Sequence, residues 1–219
     1  MGNLTVSKSA ESAGRIVLED VSWRTYESIL SDYEGRPGVR LNYDRGVLEI
    51  LSPISEEHEL YNRLLSFVVE TLAEAMSFEY RSSGAATFKR PDLQRSFEPD
   101  SCYYLQNEPR VRGNFHLDLT VDPPPDLAIE VDITHSSLDK LRLYAAMGVP
   151  ELWRYDGQEV SIFWRKDERM MPMGTSWGFP SVAAEALTRL MEQSKRLTRS
   201  SWNQSVRQWA RSIASSSQS

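Results

Sequence analysis

The stretch Leu127-Ala128-Ile129-Glu130-Val131-Asp132-Ile133-Thr134-His135-Ser136-Ser137-Leu138-Asp139-Lys140 constrains the fold of this chain more than any other. Leu127, Ile129, Val131 and Ile133 make a short apolar run bounded by polar residues, the pattern of a strand covered on both faces. Acids interrupt it. Side chains on a strand repeat every two residues, so Glu130 and Asp132 share a face. An ionised carboxylate in such surroundings is costly unless it is paired or bound to a metal. The run leads into a helix predicted from Leu138 to about Met147, stopped by Gly148 and Pro150. Lys140 falls in its first turn, where the helix dipole favours anions by roughly 0.3–1 kcal/mol. Acids with a lysine at a strand end can hold a divalent metal and activate water, the chemistry of phosphodiester hydrolysis. The same residues also describe a surface acid–lysine cluster without catalysis, and their types and spacing leave both readings open.

Around this unit the pattern predicts one α/β (α+β) domain. Ser22 caps a short helix through about Leu30. Val39–Tyr43 and Val47–Leu51 flank Asp44-Arg45-Gly46, a hairpin signal. Ser55 caps a helix to about Ala75, with Leu60, Leu64, Phe67, Val68 and Leu72 at helical spacing. Strands are expected at Phe78–Ser82 and Ala85–Lys89, joined near Gly84, and at Ser101–Tyr104; residues 105–125 read as a long excursion. Glu151–Tyr155 and Glu159–Trp164 bracket Asp156-Gly157, a second hairpin, and helices follow from Pro180-Ser181 and over about Ser201–Ile213. The expected organisation is a loose segment 1–19, a domain 20–190 and a basic helical tail 191–219.

Charge limits the partners. The net charge is -6 over 219 residues, which argues against a surface that coats nucleic acid broadly. From residue 181 onward, however, Arg189, Lys195, Arg196, Arg199, Arg207 and Arg211 face only Glu185 and Glu192, so a local basic patch can still meet DNA. No run of 18 apolar residues occurs and Met1-Gly2-Asn3-Leu4-Thr5 lacks the regions of a secretory signal, which predicts a cytoplasmic protein with no membrane contact. No Gly-x-Gly-x-x-Gly series and no Gly-x-x-x-x-Gly-Lys-Ser/Thr loop is present, so no nucleotide cofactor is expected.

Further candidates lie near the ends of elements. Asp100 follows Glu98-Pro99 at the entry to a strand. Glu56, Glu57, His58 and Glu59 crowd the first turn of the long helix, where capping and the dipole explain the acids; His58 or Glu59 can instead face the carboxylates. His58-Glu59-Leu60-Tyr61-Asn62 is not the HExxH zinc pattern, because Asn62 replaces the second histidine. His135 follows the acidic strand and can touch phosphate or simply the start of the helix. Cys102, the only cysteine, reads as a buried structural thiol. Tyr144 and Leu141 read as core packing.

Pro99-Asp100, Glu130-Val131-Asp132 and Asp139-Lys140 together resemble the PD-(D/E)xK nuclease superfamily. More closely, the chain is similar to the Uma-type restriction endonuclease family, abundant in cyanobacteria and formerly classed as a domain of unknown function. The hairpin with Gly46, Ser52-Pro53 followed by His58, and the run Tyr144-Ala145-Ala146-Met147-Gly148-Val149-Pro150-Glu151-Leu152-Trp153 carry the likeness over roughly residues 20 to 190. The resemblance implies a restriction-endonuclease-like core, a mixed central sheet flanked by helices. It implies that Asp100, Glu130 and the Val131 carbonyl bind Mg²⁺ or Mn²⁺, with Glu59 completing the site and Glu56 competing for that place. The family's usual lysine position, two residues beyond Glu130, holds Asp132 here. Lys140 matches a lysine relocated to the next helix, with Asp132 as a further ligand or as the partner that locks Lys140. DNA is the implied substrate and a homodimer the implied assembly; a noncatalytic nucleic-acid-binding or regulatory protein on the same fold is the alternative.

Overall fold

The computed structural model describes residues 6–7, 14–33, 38–51, 55–133 and 139–216. The chain opens with β1 (Val6–Ser7) and β2 (Arg15–Leu18), then α1 (Trp23–Tyr33), which Ser22 caps by accepting the Thr25 amide at 3.1 Å. β3 (Arg40–Asp44) and β4 (Val47–Leu51) form the hairpin expected from Asp44-Arg45-Gly46. Arg45 and Gly46 both take positive φ, 45° and 98°, as a two-residue turn matched to strand twist requires. Next come α2 (Glu56–Ala75), the short β5 (Arg81–Ser82), β6 (Phe88–Arg90), β7 (Arg95–Phe97) and β8 (Ser101–Tyr104). A one-turn α3 (Glu108–Val111) is the only helix in the excursion before β9 (Leu127–Val131). α4 (Lys140–Ala146), β10 (Glu151–Tyr155), β11 (Val160–Lys166), β12 (Arg169–Met173), α5 (Ala184–Ser194) and α6 (Arg199–Ser216) complete the order.

The strands form two sheets, β1-β2-β4-β3-β7-β6 and β12-β11-β10-β9-β8-β5. The first is antiparallel. The second is mixed, because β9 and β10 run parallel while its other neighbours are antiparallel. A parallel pair needs a crossover, and α4 is that crossover. This α+β arrangement, a mixed sheet between helices, is consistent with the restriction-endonuclease-like core expected from the sequence. Residues 78–82 and 85–89 do not pair with each other about Gly84, as the sequence suggests. β5 joins β8 in the mixed sheet and β6 joins β7 in the other, so the chain changes sheets at Gly84.

Every residue of β9 is buried, and alternation divides them. Leu127, Ile129 and Val131 meet the cluster made with α2, α5 and α6, whereas Ala128 belongs to the cluster under α4. Glu130 has the parity of Ala128 and therefore points to the α4 side. On α2, Ser55 accepts the His58 amide at 3.1 Å, fixing the first turn beside the sheet. Polar residues at four-residue intervals then reach β8: Asn62 donates to the Asp100 carbonyl at 3.1 Å, Ser66 bonds Ser101, and Glu70 accepts from Tyr103.

α6 carries Arg199, Arg207 and Arg211, yet Trp202, Val206 and Ala210 are buried in the same core as α2 and β9. The Trp202 indole donates to the Leu190 carbonyl at 2.7 Å. Trp202→Ala is expected to lower the unfolding free energy by about 3–5 kcal/mol, measured by urea denaturation of the whole chain. A change within 0.5 kcal/mol would show α6 to be dispensable for the fold.

Candidate active site

The register of β8 and β9 builds the centre of the site. Ser101, the first residue of β8, pairs with Ile129, which brings the preceding Asp100 to the part of β9 that carries Glu130. The Asp100 amide donates to the Ile129 carbonyl at 3.2 Å and Asp100 Oδ2 accepts the Val131 amide at 2.6 Å, which ties the aspartate to the strand that carries the glutamate. Both are buried, 4% and 2% exposed. Two buried carboxylates oppose folding if left unpaired. Two cations and two neutral donors from three other elements converge to offset this.

Arg40, at the start of β3, forms an ion pair with Asp100 Oδ1. His58, in the first turn of α2, places Nε2 at 3.0 Å from Asp100 Oδ2. Lys140, the first residue of α4, bonds Glu130 Oε2 at 2.5 Å. Tyr144, one turn later, donates its hydroxyl to Glu130 Oε1. The site is thus a seam between the two sheets, closed by the N-terminus of α2 and by α4.

Burial, with the neighbouring Arg40 charge, lowers the His58 imidazole to a pKa of about 4, so it is neutral near pH 7 and acts on Asp100 as a hydrogen-bond donor. Its Nδ1 is buried without a hydrogen-bond partner among the described residues. Burial acts to lower the Lys140 ammonium, but the charges of Glu130 and Glu49 outweigh it and hold its pKa above the ordinary value. Lys140 therefore stays cationic. Burial, reinforced by the Glu130 charge, pushes the Tyr144 phenol well up, which keeps it a proton-bearing donor. Glu98 is also raised, chiefly by burial; it accepts from Thr87 at 2.6 Å and from the Leu41 amide at 3.2 Å.

Asp100, Glu130, Val131, His58 and Lys140 thus lie together. Asp132 does not hold Lys140; it pairs with Arg154 at 3.0 Å, and Arg154 is the β10 residue directly beside Glu130. The structure gives Glu59 to Arg63 at 2.7 Å on the half-exposed side of α2, and Glu56 is exposed. His135 lies outside the described residues, as does Ser52-Pro53. Burial pushes the Cys102 thiol up to about 12, which rules it out as a ready thiolate.

Sequence reasoning missed Arg40, Tyr144, Arg154 and Glu49. Polar residues at alternate places on the first hairpin, Arg40 and Asn42 with Glu49 across from Asn42, were the available signal for two of them. Asn42 donates to Glu49 at 3.3 Å and its carbonyl accepts the Glu98 amide at 2.9 Å, so this face of the hairpin is a polar lining. For Tyr144 the signal was its position four residues after Lys140, one turn along the same helical face.

Two buried carboxylates are all-oxygen donors of the kind a hard divalent cation takes. Among the described residues no group of three or more His, Cys, Asp or Glu side chains is arranged to hold a metal. Carboxylate oxygens are the ligand type that Mg²⁺ or Mn²⁺ takes, and here those of Asp100 and Glu130 are engaged by Arg40, His58, the Val131 amide, Lys140 and Tyr144.

An α+β core with a buried Asp and a buried Glu brought together by neighbouring strands, and a lysine on the following helix, defines a PD-(D/E)xK-type protein. The family model described as Uma2, "Putative restriction endonuclease", matches residues 23–182. The chain belongs to that family. Among solved structures it is similar to one titled as a "putative nuclease belonging to DUF820" from Anabaena variabilis ATCC 29413, at 16% identity and a TM-score of 0.49, covering 76% of this chain and 98% of that one. No curated protein sequence matches it significantly.

Arg40→Met is expected to destabilise the fold by about 3 kcal/mol, because it leaves Asp100 short of a buried counter-charge. Combining it with Asp100→Asn should recover at least about 1 kcal/mol in a double-mutant cycle. Strict additivity in urea denaturation would show that the two side chains are not coupled.

Proposed function

We propose that this chain is a divalent-metal-dependent endodeoxyribonuclease that hydrolyses DNA phosphodiester bonds. The observation that carries this reading is that buried Asp100 bonds the amide of Val131, the residue after buried Glu130, while Lys140 meets Glu130. Asp100, Glu130 and the backbone carbonyl of Val131 would hold Mg²⁺ or Mn²⁺. Bound there, the metal supplies a Lewis acid that polarises a phosphate and lowers the pKa of water. For Glu59 to join these ligands it has to leave Arg63.

The chain's own groups do the remaining work. Lys140 is cationic, and its side chain is 16% exposed. It orients the attacking water and offsets charge on the phosphate. Arg40 and His58 hold Asp100 in place, and neutral His58 keeps a proton at Nε2 for that bond. Asp132, with Arg154, occupies the position where a lysine is usual in the superfamily, so the positive charge comes from α4 instead. Many enzymes that cut both strands of a duplex pair two such centres, and a homodimer related by two-fold symmetry would supply them.

A second reading, a nucleic-acid-binding or regulatory protein that does not cut, is favoured by the engagement of both Glu130 oxygens with donors from α4. Assays on supercoiled, linear, nicked and branched DNA with Mg²⁺ or Mn²⁺ distinguish the two. Hydrolysis is expected from the wild type, with a loss of at least about 100-fold in Glu130→Gln and Lys140→Ala. Equal cleavage by all three proteins would overturn the nuclease reading, and retained DNA binding without cleavage by the wild type would favour the second.

A further inference from the structure

We infer that Tyr144 is a positioning residue for Glu130, forming with Lys140 a two-point clamp in which the tyrosine fixes one carboxylate oxygen and the lysine shares the other. The inference rests on the nuclease reading above and assigns Tyr144 a part in it.

Lys140 and Tyr144 are four residues apart on α4, which puts both side chains on one helical face one above the other. They meet the two oxygens of one carboxylate, Lys140 at Oε2 and Tyr144 at Oε1. The two donors differ in kind. Tyr144 is 1% exposed, and its ring packs edge-on against Phe97 at 4.8 Å between centroids, tilted 60°. It also lies in the cluster that includes Phe88, Cys102, Ala128 and Leu152. The core therefore sets the place of its hydroxyl independently of Glu130. Lys140 reaches Glu130 through a four-carbon stem with many rotamers, from the edge of the site. A rigid donor on Oε1 holds the carboxylate in one orientation whichever partner Oε2 takes, and the mobile amine is then free to turn to water or phosphate. Without the hydroxyl, Oε1 would lose this donor, and the glutamate its fixed rotamer. Groups that orient a metal-binding carboxylate from behind are worth about 10- to 100-fold in metal affinity or activity.

Tyr144→Phe removes the hydroxyl and keeps the ring. Tyr104→Phe is the control, because Tyr104 is equally buried in the same cluster but gives its hydroxyl to the Pro123 carbonyl at 3.2 Å, away from Glu130. Binding of Mn²⁺ is followed by calorimetry on the wild type, Tyr144→Phe, Tyr104→Phe and Glu130→Gln, with thermal unfolding recorded for each. Expected are a Mn²⁺ dissociation constant raised about 10- to 100-fold in Tyr144→Phe, no such change in Tyr104→Phe, and cleavage by Tyr144→Phe that recovers as Mn²⁺ is raised. Wild-type affinity in Tyr144→Phe, or an equal loss in Tyr104→Phe, overturns the clamp while leaving the nuclease reading in place. Mn²⁺ binding that survives Glu130→Gln, or is absent from the wild type, overturns both, since the carboxylate then has no metal to be positioned for.

Discussion

Everything at the centre of this protein follows from bringing two carboxylates together at a buried sheet. Asp100, just before β8, is tied to β9 beside Glu130 by its bonds to the Ile129 carbonyl and the Val131 amide, and two buried carboxylates there would oppose folding if left alone. They are met by two cations, Arg40 from the first sheet and Lys140 from α4, and by two neutral donors, His58 from α2 and Tyr144 from α4. The electrostatic demand of the two acids accords with the closing of the first sheet and both helices on this one seam.

The apolar scaffold makes that seam possible. β9 is covered on both faces, with Leu127, Ile129 and Val131 toward α2 and Ala128 toward α4, so Glu130 is the place where one face turns polar. α6 extends the cover on the α2 side, which puts its basic residues on the outside of an element that also completes the core. The C-terminal charge is therefore attached to the scaffold through Trp202 rather than hanging from it.

Much of this was legible in the residues. The hairpin at Gly46, the cap at Ser55, the strand with Glu130 and the helix with Lys140 all follow from local rules of turn chemistry, capping and periodicity. What was not legible depends on partners far apart in the chain. Nothing local pairs Arg40 with Asp100, and nothing local says that Asp132 turns to Arg154 instead of Lys140. The separation of β5 from β6 into different sheets escaped for the same reason: both are two or three residues long, too short to show a face, and Gly84 between them reads as a hairpin turn. Tyr144 was read as a core residue, and it is one; its hydroxyl carries the part that burial patterns do not report.

The most direct test is a crystal structure of the chain soaked in Mn²⁺, with anomalous scattering used to locate the ion. The account predicts a Mn²⁺ between the Asp100 and Glu130 carboxylates, with the Lys140 amine within reach of its water shell and the Tyr144 hydroxyl still on Glu130. An ion bound elsewhere, or none while the two carboxylates keep Arg40 and Lys140 as their partners, would contradict it.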